Sequence, residues 1–352
     1  MKSNMNIFKG MGEYFALDIG TKSIRVVQLS KATEGRWKLE HVGYTGLDPK
    51  IIASDSPESR KKLGNALMST IGQAGIHTKD VAVGLPSTKT FTTIIEMAVM
   101  SDSELRSTLK YQADQYIPMP LDDAKIDWTV LGPSPNNAKK QEVLLASTAQ
   151  NYVEGLIESI DSLGFNVIAA EPDPIALTRS LLPANATGAH VILDIGELST
   201  DIVVTIGERP VLVRTLPMGI KALVSAIVQN LNIKEDQATQ FVLKFGLAPD
   251  RLEGQVFRAI EGVLDNFVSE IVKSIKFFQN KYATESISSI HLSGYAGVIP
   301  NLAEYIGSKT QVATQVTSPW QKVNMSDTDR QKILATEFEF ATAVGLAQRE
   351  AE

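Results

Sequence analysis

The feature that most constrains this chain is a stretch it uses twice. Residues 14–29 read YFALDIGTKSIRVVQL, and residues 189–206 read AHVILDIGELSTDIVVTI. In each, an apolar run ends in Asp-Ile-Gly, a short polar turn follows, and a second β-branched run begins at Ile24 or at Asp201. That pattern predicts a β-hairpin with a carboxylate at its bend. Two copies so far apart predict a duplicated pair of domains, each opened by its own hairpin, and 352 residues suit two domains of ordinary size.

The turn suggests a chemistry. A glycine after the aspartate allows a tight bend, so the backbone N–H groups of Gly20, Thr21, Lys22 and Ser23 can converge on a phosphate. Two facing hairpins would clamp a polyphosphate, and Asp18 and Asp194 suit a hard cation such as Mg²⁺, which keeps most of its waters. Lys22 either reaches a phosphate or is a solvated charge. In the second turn, Gly196 takes the place of Gly20, Ser199 and Thr200 offer hydroxyls, and Glu197 is expected to point outward, since inward it would repel an anion. Ser293-Gly294-Tyr295-Ala296-Gly297 lies between an expected strand and helix, where backbone donors or small residues could receive a ligand.

Composition removes whole classes of function. No cysteine is present, which excludes disulfides, thiolate nucleophiles and cysteine zinc sites. A net charge of -6 gives no electrostatic reason to expect nucleic acid. No apolar run approaches the roughly 20 residues of a membrane span, and the N-terminus lacks the apolar core of a signal peptide. A cytoplasmic protein is expected. GxxxxGK[ST], GxGxxG after a strand, and GxSxG are all missing. His41, His77, His190 and His291 have no partner at metal-ligand spacing.

In chain order, strands are predicted over 36–44 and 81–85 around a helix over 59–75. A βαββα unit follows over about 90–165. Its first helix opens on a Ser101/Glu104 capping box, turns Leu105, Leu109, Ala113 and Tyr116 to one face, and stops at Pro118. Its last helix, 152–163, turns Val153, Leu156, Ile157 and Ile160 inward. Helices dominate 220–282, the longest with a core stripe from Val256 to Phe278. A strand over 287–292, a helix over 299–306, an edge strand over 312–316 and one final helix over 330–349 complete the reading.

Several motifs carry a resemblance. LDIGTKSIRVVQL and ILDIGELSTDIVV resemble the two phosphate motifs of the actin-like ATPase superfamily, and HLSGYAGVIPNLAEYI (291–306) its adenosine motif. Within it, YQADQYIPMPLDDAKIDWTVLG (111–132), EPDPIAL (171–177) and AVGLAQR (343–349) are similar to the PilM family of type IV pilus assembly proteins, relatives of FtsA. The resemblance implies an α/β actin-like ATPase fold: two duplicated domains around a nucleotide cleft, with an inserted FtsA-like 1C subdomain. Domain 1 is then 12–187 with the lobe at about 90–165. Domain 2 is 188–329 with a helical sublobe at about 217–284, and 330–352 returns to domain 1.

It further implies ATP with Mg²⁺ as ligand. Gly219 and Lys244 would lie near the nucleotide, and Gly294, Tyr295 and Ala296 beside the adenosine, with Tyr295 either stacking on the base or crowding it. Lys244 is otherwise an ordinary polar-face lysine. Glu171 either orients an attacking water or caps a helix, so any ATPase activity is expected to be slow. The implied partner is the cytoplasmic N-terminal tail of a PilN-like inner-membrane protein, which would hold the chain at the membrane. Other pilus assembly ATPases and self-association are further possibilities. Ile117 and Met119, in the apolar cluster 116–120, either border a groove for that tail or pack the lobe onto domain 1. An FtsA-like division protein, lacking here the expected terminal membrane helix, and a metabolic kinase of the same fold are the alternatives.

Overall fold

The computed structural model describes residues 13–54, 56–135 and 137–350. The N-terminal stretch read for a leader and the outermost residues of the expected domains, 12 and 351–352, lie outside them.

The first hairpin forms as the sequence predicts. Strand β1 (Phe15–Ile19) pairs antiparallel with β2 (Ser23–Lys31), and Asp18 lies opposite Arg25. β3 (Trp37–Gly46) extends the meander, and short α1 (Pro49–Ala53) precedes α2 (Pro57–Ala74). α2 starts at a Ser56 cap with proline at its first position and stops at Gly75 in the left-handed conformation. β4 (Asp80–Leu85) returns parallel to β1.

β5 (Thr90–Ala98), α3 (Asp102–Gln112), β6 (Ala124–Pro133) and β7 (Lys140–Ala149) then build a separate three-stranded sheet with β7 central. Both halves of the Ser101/Glu104 capping box are present. Leu105, Leu109, Ala113 and Ile117 pack with Ile95, Val143 and Leu145 into a core of their own. The next helix, α4 (Gln150–Ser162), departs from the expected βαββα lobe. Its Ile160 joins Phe15, Leu17 and Ile71 in the core of the first sheet.

β8 (Asn166–Pro172) completes that sheet in the order β3-β2-β1-β4-β8, and α5 (Asp173–Leu181) crosses to the second domain. α5 packs Leu177 and Leu181 against Ile192 and Val203, so one helix ties the two sheets together.

The second hairpin repeats the first. β9 (Ala189–Ile195) pairs with β10 (Thr200–Ile206), placing Asp194 opposite Asp201, and β11 (Arg209–Leu216) follows. α6 (Ile220–Leu231), α7 (Glu235–Phe245) and α8 (Gln255–Lys281) cover it. Val256, Ile260, Phe267, Ile271, Ile275 and Phe278 of α8 are buried in one cluster, as the stripe requires. β12 (Ile287–Gly294) runs parallel to β9, α9 (Leu302–Thr310) starts three residues later than expected, and β13 (Thr314–Val316) is the sheet edge.

The final helix is not continuous. After β14 (Val323–Asn324), which pairs with β3, come α10 (Asp327–Ile333), a 3₁₀ stretch Leu334–Phe340, and α11 (Ala341–Ala347). α11 buries Ala343, Val344 and Leu346 against the first sheet, which returns the chain to domain 1.

Candidate functional site

The two hairpins bring their turns together between the domains. Each turn closes with the same bond: Gly20 N–H donates to Ser23 O (2.9 Å), and Gly196 N–H to Ser199 O (2.8 Å). The N–H of Gly20 is thereby spent within the turn. Across the cleft, Lys22 Nζ lies 2.7 Å from Glu197 Oε1, and Tyr295 donates to Glu197 Oε2 at 3.0 Å. Glu197 therefore points inward, against expectation. The reason is Lys22 itself: a cation from the other domain makes the inward rotamer favourable. Tyr295 is consequently turned toward this carboxylate.

Other expectations for the second turn are also redrawn. Thr200 is fully buried and its hydroxyl donates to Met218 O (2.7 Å), so it locks the turn and offers nothing outward. The first N–H groups of α6 are likewise engaged, Ile220 with Gly196 O (3.0 Å) and Lys221 with Glu197 O (3.1 Å). Gly219 makes this docking possible, since a Cβ there would lie 2.5 Å from the carbonyl carbon of Glu197. Ser199 remains half-buried at the bend, and Ala296 is buried. Lys244 is exposed near the end of α7, its ammonium 5.5 Å from the Phe245 ring. Lys221, Glu235 and Thr239 line a small cavity with Lys22, Glu197 and Tyr295.

Beneath the turns lies a set of carboxylates. Asp18 Oδ2 is 2.9 Å from Arg25 Nε, and burial pushes its carboxyl up while Arg25 pulls it back. Asp194 has an Oδ1 that is buried and without a hydrogen-bond partner, and burial together with Asp201 pushes its pKa up to about 7. Asp201 accepts from Ser87 (2.8 Å) and Thr215 (2.7 Å), yet burial still raises it to about 6. Asp173, the first residue of α5, has the same character as Asp194. Its Oδ1 is buried and unpartnered, and burial plus the charges of Asp18, Asp201 and Asp194 hold its carboxyl well above the usual range. Sequence reading passed over Asp173 for its neighbour Glu171.

Glu171 is committed elsewhere. Its two oxygens are held at 2.6 Å each by Arg179 and Arg349. It neither caps a helix nor faces the carboxylate set, and it pins the C-terminal segment to β8. Among the described residues, no three His, Asp or Glu side chains converge to hold an ion directly. Orphaned oxygens on Asp173 and Asp194 suit a hydrated cation, approached through its waters.

The broken C-terminal helix adds two residues that the sequence reading missed. Glu339 accepts from Ser23 Oγ (3.0 Å), lies 3.6 Å from Arg25 Nη1, and accepts from Tyr44 at 3.3 Å. Phe338 packs its ring directly on Gly297, where no side chain would fit, and its carbonyl accepts from Ser293 (3.3 Å). One short 3₁₀ stretch thus touches both the first hairpin and the glycine-rich turn after β12.

On the lobe, Ile117 is 5 % exposed and belongs to the lobe's own core. Met119 is half-buried at the edge of the same cluster.

Duplicated hairpin-led sheets, a crossing helix and a cleft between the two turns define the actin-like ATPase fold. An ethanolamine utilization protein, EutJ, from Carboxydothermus hydrogenoformans superposes with a TM-score of 0.56 at 12% identity, covering 98% of this chain and 93% of that one. An MreB of Spiroplasma citri bound to AMPPNP gives 0.53 at 10%, covering 96% and 95%. The structure of a PilM-PilN type IV pilus biogenesis complex gives 0.82 at 23%, covering 97% and 99%. The family described as type IV pilus assembly protein PilM matches residues 16–351, and this chain belongs to that family.

Proposed function

We propose that the chain is the ATP-binding component of a type IV pilus assembly platform, with Mg²⁺-ATP held between the two hairpins and a PilN-like inner-membrane protein bound through its N-terminal cytoplasmic tail. The observation that carries this reading is the 2.7 Å approach of Lys22 to Glu197, because it places the turns of two separate domains on a single point. The AMPPNP named with the MreB structure and the PilN named with the PilM complex support nucleotide and partner respectively.

Lys22 and Ser199 would meet the phosphates, with Ser23 buried beneath them and its hydroxyl held by Glu339, and Tyr295 with Phe338 would meet the adenosine. Asp18, Asp194 and Asp173 would hold a hydrated Mg²⁺, which neutralises phosphate charge. Asp173 also takes the water-orienting role first given to Glu171, whose oxygens are both spent. Hydrolysis is slow on this reading, since phosphoryl transfer depends on positioning and charge stabilisation and no free arginine faces the turns among the described residues. Membrane association would run through the partner, since no described helix is long and apolar enough to cross a bilayer.

The test is thermal unfolding with Mg²⁺-ATP. At a hundred times the dissociation constant, ligand stabilises the fold by about 2.7 kcal/mol. Lys22→Gln, at an exposed position that does not endanger folding, should reduce that shift and Asp18→Ala abolish it. Asp173→Asn should lower phosphate release while Glu171→Gln chiefly loosens the fold. A shift unchanged in Lys22→Gln and Asp18→Ala would remove the nucleotide from this cleft. For the partner, Met119→Ser should weaken calorimetric binding of a PilN N-terminal peptide, and no binding to the parent would defeat that half of the reading.

A further inference from the structure

The lobe β5-α3-β6-β7 belongs to the first domain by connectivity and to the second by its polar contacts. Glu142, in the central strand β7, is completely buried. Its Oε1 accepts from Tyr282 Oη at 2.5 Å and lies 2.7 Å from Lys281 Nζ, both at the C-terminal end of α8. Its Oε2 lies 3.5 Å from Arg209 Nη1, at the start of β11. Arg209 also donates to Leu131 O on β6, at 3.4 Å. These three partners of a lobe carboxylate, one hydrogen-bond donor and two cations, all come from the second domain.

A second tie sits at the lobe's root. Ser87, between β4 and β5, donates to Asp201 Oδ2 at 2.8 Å, and Asp201 faces Asp194 across the second hairpin. The two ties converge on the same machinery. α8 is 27 residues, about 40 Å long. Midway along it, Leu264 and Phe267 line a small cavity under the second turn with Ile195, Thr200 and Gly219, while its end grips Glu142.

Separating the lobe from the second domain would leave a buried carboxylate without its counter-charges, the costly way to break a buried ion pair. The lobe joins the first domain where β4 leaves for β5 and where β7 runs directly into α4, and the ion pair across that junction, Lys125 with Glu154 at 3.1 Å, is half exposed, so a hinge there meets less resistance. We propose that the lobe and the second domain form one mechanical unit, so that closing the cleft swings the lobe against the first domain. That last step rests on the nucleotide reading; the mechanical unit does not.

Native-state amide hydrogen exchange tests the unit without nucleotide. The variant to use is Lys281→Met with Tyr282→Phe, which leaves the lobe's sequence intact and keeps the ring that stacks on Phe278. Exchange in β5 and β7 is expected to rise at least tenfold while β1 and β4 keep the parent rates, with Glu142→Gln giving the same pattern. Parent rates in β5 and β7 of both variants would overturn the unit. A second arm adds Mg²⁺-ATP: β7 should slow in the parent and not in the variant, while both show the melting shift. A parent melting shift with no change in β7 would overturn the coupling. Absence of any parent shift would defeat the nucleotide reading, and the nucleotide-free arm still decides the unit.

Discussion

Asp18 and Asp194 hold the same place in two hairpins with the same turn, and their cross-strand neighbours carry opposite charge. Arg25 faces Asp18 in the first, and Asp201 faces Asp194 in the second. A directly opposed pair is the closest contact a sheet makes, so opposite charges there stabilise and like charges repel. The first hairpin thus supplies a counter-charge to its own aspartate. The second carries unbalanced negative charge, with Glu197 added at its turn, and is faced by the exposed Lys22 of the other domain. Duplication preserved the geometry and divided the charge, and that division favours bringing the domains together around a cation.

The largest test of that difference removes the cross-strand partner on each side. Arg25→Met leaves Asp18 buried and unpaired and takes a cation from Glu339, so it should cost roughly 3–5 kcal/mol. Asp201→Asn removes a like charge and keeps a group that can bond Ser87 and Thr215, so its cost should stay within about 1 kcal/mol. Urea unfolding of both variants at pH 8 makes the measurement. Equal costs would show that the two hairpins are not electrostatically different.

Packing behind the turns should give the next effect. A Cβ on Gly219 meets the backbone of Glu197 and Gly196, which cannot swing aside as a side chain can. Gly219→Ala should therefore cost about 1–3 kcal/mol, the range for overpacking a tight site. It should also loosen the start of α6, read as faster amide exchange at Ile220 and Lys221. A melting temperature within a degree of the parent would show that the second turn is not held by this docking.

What could be read from the sequence divides along the range of the interactions. Hairpins, the capping box and the α8 stripe are local patterns, and they appear where the residues put them. Ile117 could have been read the same way, since it continues the four-residue spacing of Leu105, Leu109 and Ala113 into the lobe's core, whereas the sequence reading set it at a groove or against domain 1. Glu197, Glu171 and Glu339 were not. Their orientations are set by Lys22, by Arg349 and by Ser23 with Arg25, each on a distant part of the chain. No local pattern says which way a carboxylate turns when its cation lies in another domain. The final helix failed similarly: its seven-residue 3₁₀ stretch lies where Phe338 packs on Gly297 and Glu339 reaches the first hairpin.

The pH dependence should be smaller but has a definite sign. Asp194 and Asp201 titrate near 7 and 6 in the fold and near 4 unfolded. Between pH 4 and 7 the native state therefore holds more protons, so these groups make stability fall as pH rises through that window. Mg²⁺, by favouring the charged carboxylates, should flatten the decline. Asp194→Asn should flatten it without Mg²⁺, whereas Lys22→Gln should not. Calorimetric melting at intervals from pH 4.5 to 8 reads this out. A slope in Asp194→Asn equal to the parent's would place the titration elsewhere.

The smallest expected effect concerns Glu197, the point where the two hairpins meet. Lys22 is 43% exposed at its side chain, so its ion pair with Glu197 contributes little to stability, between zero and about 1 kcal/mol. Glu197→Gln should leave the melting temperature nearly unchanged, because glutamine can still accept from Tyr295. Its effect on ligand should run the other way. In the parent, Lys22 is engaged by a carboxylate that repels phosphate, so an incoming anion must win the lysine from Glu197. With the charge removed, Lys22 is free to bind, and nucleotide affinity should rise by about three- to tenfold, the equivalent of roughly 0.7–1.4 kcal/mol. The gain should vanish in the Lys22→Gln, Glu197→Gln double variant, since the two residues act on the phosphate as one unit. Weaker nucleotide binding in Glu197→Gln alone would mean that this carboxylate helps to hold the ligand, and the second hairpin would then depend on its extra negative charge.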